Sequence, residues 1–203
     1  MNSQRRPLWP VLLIIALCWV PTSALSAGSP LEQVKETIDH VLGILKDPRI
    51  ESKAMEAERR EVLRRVLAPR FDFFEMARMA LGSHWERQAD RRKEFVSAFT
   101  GFMEKTYASR IEFLKDKQVI YTGQRVDNGF ARVDTRVLPG NGDEIAVYYK
   151  LRMVEGEWKI YDLLIDNVSL MENYRAQFNR VLTNTSFDDL LKKLQQKNSG
   201  AGG

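Results

Sequence analysis

The chain has 203 residues, 44% of them hydrophobic, with 31 lysines and arginines against 27 aspartates and glutamates. A formal net charge of +4 suits an anionic surface partner, but no basic stripe interleaved with aromatics occurs, which argues against nucleic acid as the partner. The single cysteine, Cys18, falls in an N-terminal leader. The mature chain is therefore expected to rely on packing, without disulfides or thiol chemistry.

Arg5 and Arg6 followed by the apolar run Leu8 to Val20 and the small residues Thr22, Ser23, Ala24, Ser26 and Ala27 read as an export signal over residues 1–27. Cleavage is expected after Ala24 or Ala27. Cys18 follows Leu17 inside the apolar run, not a small residue, so lipidation is disfavoured. About 176 residues remain, enough for one domain with its own core, placed here at residues 28–196.

Helices fill the first half. Leu31, Val34, Ile38, Val41, Leu42 and Leu45 make an apolar stripe that stops at Asp47-Pro48. A charged helix is predicted from Ile50 to Leu67, turned inward at Met55, Val62, Leu63 and Val66 and broken by Pro69. Asp72 with Glu75 forms a capping box for a third helix, Phe71 and Met76 a staple, and Gly82 its end. A long helix from Asp90 to Leu114 carries Phe95, Phe99, Phe102, Met103, Tyr107, Ile111 and Leu114.

The period then changes to two. Strands are predicted over 118–126, 129–138, 143–154 and 157–165, separated by Asp127-Asn128-Gly129, Pro139-Gly140-Asn141-Gly142 and Glu155-Gly156. Three consecutive hairpins make an antiparallel meander. A two-residue turn at Glu155-Gly156 sets Met153 against Trp158, Leu151 against Ile160, Tyr149 against Asp162 and Val147 against Leu164. A matching turn at Asn128-Gly129 puts Ile120, Val126, Ala131, Val133 and Val137 on one face, shared with the second set if the 138–142 loop has an odd count. Ser169 with Glu172 caps a helix bearing Leu170, Tyr174, Phe178 and Val181. Ser186 with Asp189 caps a last helix bearing Leu190, Leu191 and Leu194, and residues 197–203 read as a disordered tail.

Two segments carry a family likeness. WKIYDLLIDNVSLMENYRAQF, Trp158 to Phe178, and FDFFEMARMALGSHW, Phe71 to Trp85, with the meander between them, resemble the MlaC or toluene-tolerance family over about Leu31 to Leu194. Two departures occur: Asn167 stands where a glycine is common, implying a left-handed backbone there, and His84 lies within the LG-x-x-W spacing. The resemblance implies an α+β fold: an NTF2-like cone with a four-stranded antiparallel meander packed against N-terminal and C-terminal helices. It also implies a periplasmic shuttle that holds phospholipid as cargo, with no cofactor, between an inner-membrane ABC transporter complex with a lipid-binding domain and an outer-membrane lipoprotein complex. The chain itself is expected to be a monomer.

Such a carrier needs a dry interior, because exposing two long acyl chains costs on the order of 20 kcal/mol or more. From their facing, the expected lining is Phe95, Phe99, Phe102 and Met103 of the long helix, Val133, Val147, Tyr149, Leu151 and Ile160 of the sheet, and Tyr174. A filled core is the competing reading of the same residues. Asp162 beside Tyr149 would suit an NTF2-like isomerase; alternatively the acid is satisfied by backbone amides or by an arginine such as Arg175. A different amphiphile, such as a hopanoid, is the alternative cargo. His40 and His84 share no carboxylate at zinc spacing, Ser97, Ser109 and Ser169 sit in no GxSxG context, and no P-loop occurs. A binding protein is the expectation, with neither catalytic nor metal-binding residues.

Overall fold

A computed structural model describes residues 28–140 and 142–199; the expected export signal over residues 1–27 and residues 200–203 lie outside them. Among the described residues, six α-helices and five strands run in the order α1 (Pro30–Leu45), α2 (Glu56–Leu67), α3 (Phe73–Leu81), α4 (Arg92–Arg110), β1 (Gln118–Asp127), β2 (Phe130–Leu138), β3 (Ile145–Val154), β4 (Glu157–Ile165), β5 (Val168–Ser169), α5 (Leu170–Asn184) and α6 (Phe187–Ser199), with short 3-10 turns between the helices. The strands form one antiparallel sheet in chain order. The architecture is α+β, with a two-residue fifth strand added to the expected meander.

Local chemistry explains most boundaries. Ser29 and Glu32 form a reciprocal box at the start of α1 with Pro30 in its first turn, a signal the sequence reading passed over. Asp72 accepts from the Glu75 amide at 3.0 Å, but the Glu75 carboxylate pairs with Arg78 and does not complete a box. Gly82 ends α3 at φ +56°, and a Cβ there would meet Arg175 Cδ at 2.8 Å. Both tight hairpins turn through positive φ, at Asn128 and Gly129 and at Glu155 and Gly156. Asn167 is left-handed at φ 66°, as its place in the corner implies, and so is Asp166. Helix α6 runs to Ser199.

Two bulges alter the expected register. In β1, Thr122 is the extra residue between the Tyr121–Thr135 and Gly123–Asp134 pairs. Val119 and Tyr121 therefore share a face with Val137 and Thr135, and Ile120, expected on that face, lies opposite Arg136 and is 39% exposed. In β4, Tyr161 is the extra residue between the Leu151–Ile160 and Lys150–Asp162 pairs. Met153–Trp158 and Leu151–Ile160 pair as expected, but beyond the bulge Tyr149 faces Leu163 and Val147 faces Ile165. A single inserted residue exchanges the two faces of a strand. The β2 and β3 sets do share a face, with Val133 opposite Tyr149 and Ala131 opposite Leu151.

Apolar residues gather in three clusters. The largest lies among α3, α4, α5 and α6 and includes Met76, Phe95, Phe99, Phe102, Tyr174, Phe178 and Phe187. A second lies beneath α1 on the sheet, with Val34, Ile38, Ala131, Val133, Leu151, Trp158 and Ile160. The third joins α1 to α2 through Val41, Ile44, Leu45 and Leu63. Gln33 clamps α1 to the β4 backbone, its side chain donating to the Trp158 carbonyl, while the Asp72 amide donates to the Ile160 carbonyl at 2.8 Å, fixing the start of α3 beside β4.

Candidate functional site: an apolar cavity between sheet and helices

Between the clusters the packing leaves a cavity of about 500 Å³. Its floor comes from alternate strand residues Val137, Ile145, Val147, Tyr149, Ile160, Leu163 and Ile165. Val34, Ile38 and Val41 of α1 close one side, and Met103, Tyr107, Ile111 and Leu114 from α4 and the turn after it close another. Phe71, Phe73, Met76 and Leu170 contribute where α3 and α5 meet the sheet. The volume lies within the range of about 300–1,000 Å³ typical of small-molecule sites. Phe113 and Ile165 line the cavity and are also 51% and 44% exposed, so they mark where it opens to solvent.

Few polar groups reach the lining: Thr37, Arg64, Glu104, Tyr107, Arg110 and Tyr149. Burial pushes the Tyr149 phenol up to about 12, an effect that the nearby Thr135 hydroxyl partly offsets. The Tyr107 phenol is likewise pushed up by burial and by its 3.3 Å contact with the Tyr174 hydroxyl. The phenol of Tyr121, beside the floor on the same face of the sheet, is pushed up by burial, and its hydroxyl is buried with no hydrogen-bond partner among the described residues. These phenols stay neutral across the physiological range. The wall is an uncharged surface apart from Arg64, Arg110 and Glu104.

Of the residues expected to line a pocket, Met103, Val147, Tyr149 and Ile160 do so. The other six do not. Phe95, Phe99, Phe102 and Tyr174 are buried among helices, with Phe99 edge-on to Phe178 at 6.2 Å and Phe102 edge-on to Tyr174 at 5.4 Å. Val133 and Leu151 share the cavity's face of the sheet but are covered by α1. The division falls along α4. Its N-terminal half packs against α3 and α6, and Phe95 and Phe99 meet Phe178 of α5, while its C-terminal end, from Met103 onward, reaches the cavity. The spacing of Tyr107, Ile111 and Leu114 carried this signal in the sequence, but nothing local shows where the neighbouring helices stop.

Asp162 lies outside the cavity lining and across the strand from Lys150, not Tyr149. Fully buried, it accepts from the Ser169 hydroxyl at 2.7 Å and the Met171 amide at 3.1 Å, with Lys150 Nζ at 3.5 Å. It thus holds the first turn of α5 to β4, with its partners supplied by that turn and by Lys150. Arg175 instead lies along Gly82, its guanidinium 3.8 Å from Glu172. Among the described residues no group of three His, Cys, Asp or Glu side chains is placed to hold a metal, and no helix is long and apolar enough to cross a membrane.

The family model described as MlaC protein matches residues 35–196. The chain belongs to the MlaC family. Among curated MlaC-family relatives, the intermembrane phospholipid transport system binding protein MlaC of Haemophilus influenzae is 24% identical over 98% of this chain and 97% of its own length. The toluene tolerance protein ttg2D of Pseudomonas putida is 23% identical over 82% of this chain and 79% of its own. Among solved structures, the phospholipid-binding protein from Ralstonia solanacearum, in complex with a phospholipid, aligns with a TM-score of 0.69 at 24% identity, covering 84% of this chain and 97% of that one. At that identity the match establishes a shared fold.

Proposed function

We propose that this chain is a phospholipid-binding shuttle of an intermembrane transport system, with the acyl chains in the cavity and the headgroup at the opening marked by Phe113 and Ile165. The observation that carries the reading is the cavity itself: an apolar space between sheet and helices in a member of the MlaC family. A filled core would have left none. Two relatives support it, one named as a phospholipid transport binding protein and one solved with a phospholipid. Each methylene taken into the cavity contributes about 0.8 kcal/mol, so a dozen or so are worth about 10 kcal/mol. The lining residues Met103, Tyr107, Ile111, Val147, Tyr149, Ile160 and Leu163 are assigned to the chains; Phe95, Phe99, Phe102, Val133, Leu151 and Tyr174 stabilise the walls.

The phospholipid is cargo, not a cofactor, and nothing in the mechanism makes or breaks a bond. Direction is assigned to the partners: an inner-membrane ABC transporter complex with a lipid-binding domain and an outer-membrane lipoprotein complex. The protein works as a monomer in the periplasm after loss of residues 1–27. Native mass spectrometry of exported protein, followed by organic extraction, tests the core of this reading. A two-chain phospholipid near one equivalent is the expected result. Recovery of protein without lipid, or with an uncharged amphiphile alone, overturns it.

A further inference from the structure

Around the cavity mouth most charges are already matched. Arg64 sits 4.0 Å from Glu104, Arg59 pairs with Glu112 at 2.8 Å, and Lys115 pairs with Glu51. Two cations differ. The Arg110 guanidinium lies 5.6 Å from the centre of the Tyr107 ring, and Lys117 Nζ lies 5.1 Å from the centre of the Phe113 ring. Tyr107, Phe113 and Arg110 all line the cavity. Among the described residues neither Arg110 nor Lys117 has a carboxylate partner; two exposed acids without an ion pair lie nearby, Asp116 on the turn between them and Asp166 beside Ile165, where it accepts from the Ala146 amide at 3.1 Å. Two cations, each steadied on an aromatic face and neither holding a carboxylate of its own, therefore stand at the mouth.

An apolar interior compels an amphiphile to leave its polar atoms at the mouth. A guanidinium fork and an ammonium together suit the oxygens of a phosphodiester monoanion. We propose that Arg110 and Lys117 form a phosphate site at the mouth, selecting phosphate-bearing amphiphiles over uncharged ones of equal chain length. The inference rests on the carrier reading above and adds a headgroup determinant to it.

The test loads delipidated full-length mature protein from neutral detergent micelles holding equal amounts of dipalmitoylphosphatidylglycerol and dipalmitoylglycerol, with native mass spectrometry counting each bound lipid. Wild type is expected to favour the phospholipid. The R110Q/K117Q variant should lower that preference about tenfold while total loading stays within about twofold, and the charge-preserving R110K/K117R variant should retain most of it. Excess inorganic phosphate should bring the wild-type preference down toward that of the glutamine variant. An unchanged ratio in R110Q/K117Q sinks the proposal. So does a variant that loses sedimentation with phosphatidylglycerol vesicles yet keeps its loading ratio, which would assign the cations to a membrane surface. Wild type that loads both lipids equally overturns the phosphate site alone; wild type that loads neither overturns the carrier reading beneath it.

Discussion

Asp162 shows how one side chain can look catalytic in sequence and be structural in the fold. Its carboxylate accepts from Ser169 and Met171 inside the protein, with Lys150 as counter-charge. Asp162→Asn keeps the shape, removes the negative charge and turns part of an acceptor into a donor facing other donors. We expect a loss of about 2 kcal/mol in denaturant unfolding, with lipid loading per folded molecule unchanged. Loss of loading without loss of stability would contradict the structural role. Tyr149 gives a pH prediction. Its folded pKa lies near 12 against an ordinary 10.0, so the folded state holds a proton that the unfolded chain releases. This contribution to stability is complete below about pH 10 and declines as pH rises toward 12. Tyr149→Phe should make the alkaline decline of the unfolding midpoint shallower, whereas an unchanged slope would show that the phenol is not desolvated.

At the scale of elements, one seam beside the cavity joins α2 and the link before it to the turn after α4. Arg59, 8% exposed, spans that seam, donating to the Ile50 and Glu51 carbonyls at 2.7 and 3.1 Å and pairing with Glu112. Arg59→Ala leaves two carbonyls and a carboxylate without their donor. Unfolding stability should fall by about 2 kcal/mol. Hydrogen exchange should quicken in residues 50–67 and 111–115 while β2 and β3 remain protected; uniform acceleration across the sheet would refute a local seam. Gly82 is a second element-level constraint, since its positive φ and the Arg175 stem leave no room for a side chain. The starts of α3, α5 and α6 and the two tight hairpin turns were legible in sequence because caps and positive-φ residues act within a few positions. The bulges at Thr122 and Tyr161 were not, because a strand carries the same alternation on either side of an inserted residue.

The whole molecule divides into a packed half and a hollow half, and substitutions should separate them. Phe99→Ala removes a fully buried ring from the helical cluster and is expected to cost about 3–5 kcal/mol, lowering the unfolding midpoint. Val147→Trp instead builds into the space above the sheet. It should leave the fold intact by circular dichroism and sharply reduce copurified lipid. If V147W loads lipid as wild type does, the chains do not occupy this cavity.

By itself the sequence determined the α+β order, the caps, the tight hairpins and the family, because helical and strand periods and turn chemistry are local properties. It also marked which residues are apolar. Whether those residues fill a core or line a void was decided by tertiary structure alone. Phe95 and Met103 lie on one helix with similar spacing, yet one is enclosed by α5 and α6 and the other borders open space. The physical reason is that a cavity is an absence of neighbours, set by where helices end and how the bulged sheet curves, and no residue's own chemistry records what fails to pack against it.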